Sequence, residues 1–193
     1  MKKFSLLLVT LLCSISFYGQ AWDSSKPDQR FTFGIRAGVN MSTFSKVDEY
    51  YTKYDGKSKI NFHAGLNLDF NVVKSFAIET GLFYTGKGTK FDTEYNWYEG
   101  YEKLSYIQLP LLALYRLPIK DDVHVQVKAG GYFGYLINEP ESVYVKKPDM
   151  GLMFGAGINY KKFYLGLQYE LGLYEVAWDC KNRNLALSVG YDF

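Results

Sequence analysis

Residues 105–135, SYIQLPLLALYRLPIKDDVHVQVKAGGYFGY, decide the fold of this chain. They predict two strands, Tyr106–Tyr115 and His124–Leu136, joined by a tight polar turn at Pro118–Asp122. In the second strand, apolar side chains alternate along the whole length with polar or glycine positions. Such a long alternation is typical of a strand that crosses a bilayer, with lipid outside and a polar lumen inside.

The same alternation recurs along the chain and predicts eight strands in all. The six further strands are expected at Phe31–Met41, Ile60–Phe70, Phe76–Thr85, Asp149–Tyr160, Phe163–Gly172 and Leu185–Phe193. Long polar connections are predicted at Ser42–Ser58, Gly86–Lys103, Asn138–Pro148 and Tyr174–Arg183. They alternate with short turns around Val73–Ser75, Pro118–Asp122 and Lys161–Lys162. An even strand number with alternating long and short connections is typical of outer-membrane barrels.

A soluble eight-stranded barrel of the lipocalin kind has the same strand count and alternation. Two features favour the membrane barrel: the terminal Phe193, which is typical of exported barrels, and the charges opposite the apolar face. Such charges cannot line an apolar pocket, and they are Arg36, Asp69, Glu79, Lys128, Glu170 and Asp192. The sequence therefore predicts an all-β, eight-stranded antiparallel up-and-down transmembrane barrel.

The N-terminus predicts a cleaved secretory signal peptide over residues 1–20. Lys2 and Lys3 form its basic start, and Phe4–Phe17 forms its apolar stretch. A short polar lead is expected at residues 21–30, and the barrel domain at residues 31–193. Export by this signal to the cell outer membrane follows as the expected localisation.

Charge and cysteine content exclude several classes of protein. The chain has 22 Lys and Arg against 20 Asp and Glu, and losing Lys2 and Lys3 leaves 20 against 20. A neutral chain offers no basic field for nucleic acid, so none is expected as a partner. Loss of Cys13 with the signal leaves Cys180 alone, which excludes an intrachain disulfide. No apolar run beyond the signal is long enough for a membrane helix, so a membrane form must be a closed barrel.

Charges at lumen positions have a structural interpretation. An eight-stranded barrel leaves room for little more than side chains, and buried charges persist only when they are paired and hydrogen-bonded. We expect mutual pairing to fill the lumen. The predicted network comprises Arg36, Asp69, Glu79, Arg116, Lys128, Glu170 and Asp192. The alternative interpretation is a path for a small cation or a proton.

The sequence carries no pattern expected of an enzyme or a metal site. Both histidines, His63 and His124, have lumen parity, whereas lipid-cleaving barrels need Ser and His on the lipid face and rim proteases need His near the long loops. His63 has no second His or Cys at ligand spacing. We expect no catalytic residue, no metal and no cofactor, and we expect His63 to be hydrogen-bonded inside the lumen.

Aromatic residues in the predicted loops are open to two interpretations. They either stack where strands extend past the bilayer or contact a sugar, peptide or protein partner. These residues are Tyr50, Tyr51, Tyr54, Tyr95, Trp97, Tyr98 and Trp178. Phe193 ends the last strand at lipid-facing parity, and it resembles the terminal aromatic residue that the barrel-assembly machinery recognises.

Four stretches resemble motifs of the PorT-like outer membrane β-barrel proteins of the Bacteroidetes. Tyr106–Tyr115 resembles the family's YLEIPLLLKY, and Gly130–Leu136 resembles GPYxGYL. Asp149–Tyr160 resembles DxGLxxGxGxxY, and Gln168–Leu173 resembles RYxxGL. The match covers the chain beyond the signal with roughly the family's spacing.

The resemblance implies an outer-membrane location and an eight-stranded barrel, but little about activity. One member of the family is linked to protein secretion and gliding. Three lumen charges of the family are neutral here, at Gln108, Leu114 and Gln168, so a role that needs those charges is in doubt. We expect a monomer that is embedded in outer-membrane lipid, inserted by the barrel-assembly machinery, and structural or interacting through its outer loops, with a link to secretion. The alternatives are a narrow solute or ion channel and, third, a lipid-active or proteolytic enzyme.

Overall fold

The chain forms a closed barrel of eight antiparallel strands. The structure is a computed structural model, and it describes residues 24–45, 56–91, 100–120, 122–138, 146–177 and 180–193. Each strand pairs with its neighbours in sequence, and the last pairs with the first. The strands are β1 (Phe31–Ser45), β2 (Gly56–Val73), β3 (Phe76–Phe91), β4 (Gly100–Lys120), β5 (Val123–Asn138), β6 (Pro148–Tyr160), β7 (Phe163–Ala177) and β8 (Cys180–Asp192). The predicted up-and-down barrel is confirmed.

The seam between β1 and β8 closes the sheet. Its register runs from Gly34 opposite Asp192 to Ser45 opposite Lys181. Closure gives every strand two neighbours, so the sheet has no free edge within the bilayer, where unpaired backbone groups would cost several kcal/mol each, roughly. Within the described ranges, no helix is long and apolar enough to span a membrane.

Large apolar side chains cover the outside of the barrel, whereas the inside holds the buried polar and charged side chains together with apolar ones such as Leu112, Leu114 and Met153. In β5, Val127 and Phe133 are exposed on the outer face, whereas Gln126, Lys128 and Tyr132 between them are buried. The lumen-facing positions predicted for Arg36, Asp69, Glu79, Lys128, Glu170 and Asp192 are confirmed. The core of the molecule is therefore the lumen itself.

The short turns share one end of the barrel, which we call the turn end; the opposite end is the loop end. The turn predicted at Lys161–Lys162 is confirmed, and the one predicted around Val73–Ser75 lies at Lys74–Ser75, because β2 continues to Val73. The turn predicted at Pro118–Asp122 is shorter, because β4 continues to Lys120 and β5 begins at Val123. The polar lead runs along this end, where Asn71 N donates to Arg30 O over 2.9 Å.

The predicted loops at the loop end are too long in three of four places. Strands β1 and β2 extend into Ser42–Ser58, and β3 and β4 extend into Gly86–Lys103 until Phe91 lies opposite Gly100. Strands β7 and β8 extend into Tyr174–Arg183. Backbone pairing continues past the apolar band, where polar residues occupy both faces and the alternation that marks a strand is lost. The loop at Asn138–Pro148 has the predicted limits.

A proline interrupts the ladder between β3 and β4. The register includes Thr80 opposite Leu111 and Phe83 opposite Gln108, with no pair between them at Pro110. Proline has no N–H to donate, which makes it uncommon in a central strand. The Thr80 hydroxyl donates to Pro110 O over 2.8 Å and supplies a hydrogen bond at this interruption.

Candidate functional site

Two ion pairs cross the lumen near the turn end. Lys128 Nζ on β5 lies 2.7 Å from Glu79 Oε1 on β3, and both side chains are buried. Arg116 Nη2 on β4 lies 2.5 Å from Asp69 Oδ2 on β2. The second guanidinium nitrogen of Arg116 donates to Asn71 Oδ1 over 2.6 Å, which fixes the orientation of the fork.

A third pair completes this region, which we call the turn-side layer. Arg36 Nη2 on β1 lies 2.7 Å from Asp192 Oδ1 on β8. The Arg36 guanidinium also lies 4.2 Å from the ring centroid of Tyr164, within the range of a cation–π contact. A Cβ at Gly157 or Gly166 would clash with Tyr164, so these two glycines leave the space that its ring occupies. The turn-side layer comprises Arg36, Asp69, Glu79, Arg116, Lys128 and Asp192.

A second charged group, the loop-side cluster, lies towards the other end. Lys87 Nζ is 2.9 Å from Asp149 Oδ2 and 2.8 Å from a Glu170 carboxylate oxygen. Its ammonium also lies 4.4 Å from the ring centroid of Tyr132. Asn182 Nδ2 donates to Asp149 Oδ2 over 2.9 Å. Lys87 and Asp149 are both 0% exposed, so this cluster depends on its own members for charge balance.

Because these ion pairs are buried, each charged side chain depends on its partner. Charges at 4 Å attract weakly in water and far more strongly where the effective dielectric is low, but each charge also loses its hydration. Removing one partner therefore leaves the other buried and unpaired, which is the costly outcome. The pairs hold the lumen filled more than they add net stability.

His63 lies mid-lumen on β2, as its parity predicted. Its Nε2 lies 2.8 Å from Ser188 Oγ on β8, so the expected hydrogen bond is present. Within the part of the chain that the structure describes, no group of three or more His, Cys, Asp or Glu side chains could hold a metal ion. The hydrogen bond between His63 and Ser188 joins β2 to β8 across the lumen.

A small chamber separates the turn-side layer from the loop-side cluster. Its volume is about 30 Å³, and Gln108, His63 and Glu79 are among the residues that line it. Both polar side-chain atoms of Gln108, together with His63 Nδ1 and Glu79 Oε2, have no hydrogen-bond partner among the described residues. A volume of this size holds roughly two water molecules.

The structure brings the predicted lumen charges together in a pattern that the sequence did not specify. Six of them form the three pairs of the turn-side layer. The seventh, Glu170, pairs instead with Lys87, which the sequence analysis did not include. Asp149, which starts the sixth predicted strand, was not included in the predicted network either. Lys87 was missed because β3 was expected to end at Thr85; continuing the alternation by one more lumen position would have found it.

Other predicted residues lie at the two ends. Phe193 is exposed at the turn end, where its backbone N donates to Phe33 O over 2.8 Å. Cys180 was expected within a loop, but it begins β8 opposite Ala177. The candidate contact residues Tyr50, Tyr51, Tyr54, Tyr95, Trp97, Tyr98 and Trp178 lie outside the described residues.

Comparisons with known proteins agree with this geometry. The family model for the outer membrane protein beta-barrel domain matches residues 19–177. OprG from Pseudomonas aeruginosa has a similar structure, with a TM-score of 0.53 and 13% identity over 89% of this chain and 99% of that chain. Neisserial surface protein A has a TM-score of 0.51 and 15% identity, over 83% of this chain and 97% of that chain. AlkL in DMPC lipid bilayers has a TM-score of 0.50 and 14% identity, over 88% of this chain and 94% of that chain. No curated protein matches the chain. At these identities the likeness to solved structures concerns the fold.

Proposed function

The chain belongs to the outer membrane protein beta-barrel domain family and lies in the outer membrane, and we propose that it acts there as a closed anchor whose loop end binds a protein partner. The observation that carries this proposal is the filled lumen. A barrel without an open path has its outer surface in lipid, which leaves its two ends for interaction.

The ion pairs support closure. Glu79, Lys128, Lys87 and Asp149 have at most a few per cent of their side chains exposed. A hydrated ion crossing the lumen would have to displace these pairs, and each displaced charge would then stand unpaired in a medium of low dielectric. The lumen is therefore better suited to hold the barrel rigid than to conduct.

The form of the loop end supports a binding role. Strands β3 and β4 stay paired up to Phe91 opposite Gly100, so this hairpin is a long rigid support for the connection that it carries. The sequence of that connection includes Tyr95, Trp97 and Tyr98. Aromatic side chains are effective anchors for a partner because each one can bury a large apolar area.

We propose that this protein partner takes part in protein secretion. This assignment rests on the resemblance of four stretches, among them Tyr106–Tyr115 and Gly130–Leu136, to the PorT-like proteins of the Bacteroidetes. Gln108 and Leu114, two of the positions where charge is lost relative to that family, are buried. The neutral replacements therefore alter the interior of the barrel, and they leave a role of the loop end intact.

Affinity purification from outer membranes tests the binding role. A tag is placed in the connection between β5 and β6, away from the aromatic residues under test. We expect a reproducible protein partner to be recovered with the wild type and lost when Tyr95, Trp97 and Tyr98 are replaced by Ser. Replacement of Tyr95 and Tyr98 by Phe is the matched control and should retain the partner. Recovery of only lipid and assembly factors would contradict the proposal.

A narrow channel is the second candidate, and the chamber at Gln108 is the observation that favours it. Planar bilayer recordings separate the two candidates. The closed barrel should give no steady current above background at moderate voltage. Reproducible single-channel steps from the wild type would refute closure and support the channel.

A further inference from the structure

The turn between β6 and β7 places a lysine in a strained backbone conformation. Lys161 has φ of 54°, and no other residue besides glycine has positive φ among the described residues. The first position of such a two-residue hairpin turn usually holds glycine, which adopts this conformation without steric cost. Lysine at a position of this kind carries a backbone cost that glycine would avoid.

Backbone hydrogen bonds hold this turn to its neighbours on both sides. Lys161 N donates to Asp122 O in the β4–β5 turn over 2.8 Å. Asp192 N on β8 donates to Lys162 O, also over 2.8 Å. The two lysines are therefore presented by a fixed backbone at the turn end.

Both ammonium groups lie over lipid-facing rings. Lys161 Nζ is 5.6 Å from the ring centroid of Tyr160, and Lys162 Nζ is 5.8 Å from that of Tyr191. The Tyr191 ring makes edge contacts with Phe163 on β7 and with the ring two residues further along its own strand, each at 5.4 Å between centroids. The register places Tyr160 opposite Phe163 and Phe163 opposite Tyr191, so the rings form one continuous patch.

Aromatic patches of this kind mark the depth of the lipid headgroups in barrels. The two ammonium groups therefore lie at the level of the phosphates, with apolar rings directed towards the acyl chains. Neither lysine forms an ion pair with a carboxylate that the structure describes. Lys161 contacts Asp122 through the backbone hydrogen bond alone. By contrast, Lys74 in the β2–β3 turn lies 3.5 Å from Asp28.

We propose that Lys161 and Lys162, together with the rings of Tyr160, Phe163 and Tyr191, form a binding site for the headgroup of an anionic phospholipid. Two adjacent ammonium groups can both donate hydrogen bonds to the singly charged phosphodiester, and the rings pack against the glycerol and upper acyl chain. Exported barrels have their short turns on the periplasmic side, so the lipid belongs to the periplasmic leaflet. This inference concerns the turn end and is independent of a partner at the loop end.

The test compares wild type with two variants that lose equal charge. The site variant carries Lys161→Gly and Lys162→Gln; glycine relieves the strained φ, so the turn is preserved. The control carries Lys74→Gln and Lys120→Gln, which removes one lysine from the β2–β3 turn and one from the end of β4, beside the β4–β5 turn. Each protein is reconstituted in phosphatidylcholine vesicles with increasing fractions of phosphatidylglycerol. The heat-induced shift in gel mobility gives the unfolding midpoint, and native mass spectrometry counts bound phosphatidylglycerol.

The wild type and the control should gain stability with phosphatidylglycerol and should each retain a bound lipid. The site variant should lose most of that gain and the bound lipid, while its midpoint in phosphatidylcholine alone is equal to or above that of wild type. An equal loss in the control would mean diffuse attraction between basic turns and an anionic surface, and would overturn the proposal. The same holds if the wild type shows no dependence on phosphatidylglycerol.

Discussion

Lys128 Nζ and Glu79 Oε1 lie 2.7 Å apart and join β5 to β3 across the lumen, over the intervening strand β4. The contact is therefore not a neighbouring-strand pair but a strut through the interior of the barrel. Glu79 and Lys128 each carry a buried charge whose main compensation is the other.

Replacing Glu79 with Ala should destabilise the barrel, because Lys128 is left buried and unpaired. We expect a loss of about 3–5 kcal/mol in the free energy of unfolding. Urea titration of the protein in lipid vesicles measures it. The double variant Glu79→Ala, Lys128→Met should recover a large part of the loss. If the double variant loses as much free energy of unfolding as the two single variants together, Glu79 and Lys128 do not stabilise each other.

Lys87→Met should have a larger effect than Glu79→Ala, because one ammonium compensates two carboxylates, Asp149 and Glu170. The cost should be at least the roughly 3–5 kcal/mol of one broken buried pair. The same urea titration measures it. Adding Asp149→Asn and Glu170→Gln to Lys87→Met removes the uncompensated charge, and this triple variant should be more stable than Lys87→Met alone. If the triple variant is the less stable of the two, charge balance is not what Lys87 provides.

Cys180 should report the orientation of the barrel. It begins β8 at the loop end, and the predicted loss of Cys13 with the signal peptide would leave its thiol without a partner for a disulfide. A membrane-impermeant maleimide should label intact cells, and Cys180→Ser should abolish the labelling. Labelling that requires broken cells would place the loop end inside and invert the strand order.

Phe193 should matter for assembly more than for the stability of the finished barrel. Its ring is exposed and contacts Tyr191, so its deletion removes little packing. We expect less protein in the outer membrane after deletion, while the inserted fraction still shifts on gels after heating. Replacement by Tyr keeps an aromatic terminus and should restore the amount. Unchanged outer-membrane levels of the deletion variant would contradict the role.

The barrel could be predicted from sequence because each strand combines two signals that agree. Alternation assigns each side chain to lipid or lumen, and Phe33 and Lys128 lie on the faces that their parity predicts. The short turns are marked by compact polar sequences such as Lys161–Lys162. In a bilayer both signals have the same physical origin, since apolar groups face lipid and backbone groups must pair.

The pairing of the lumen charges could not be predicted in the same way. Parity places Glu170 in the lumen, but its partner depends on height along the barrel and on which strands face each other across it. Lys87 was hidden for a related reason: β3 continues beyond the apolar band, where sequence no longer distinguishes a strand from a loop. The partners of a charge are a three-dimensional property, whereas alternation is a property of one strand.

The seam between β1 and β8 has a consequence for the order of folding. Arg36 and Asp192 come from opposite ends of the barrel sequence, so their contact has a high entropic cost of closure and should form late. Until then the unclosed sheet leaves both side chains open to water. We therefore expect Arg36 and Asp192 to lose their hydration only in the final step, when β8 pairs with β1. Mutations at Arg36 should therefore leave early sheet formation unchanged and speed the reopening of the seam.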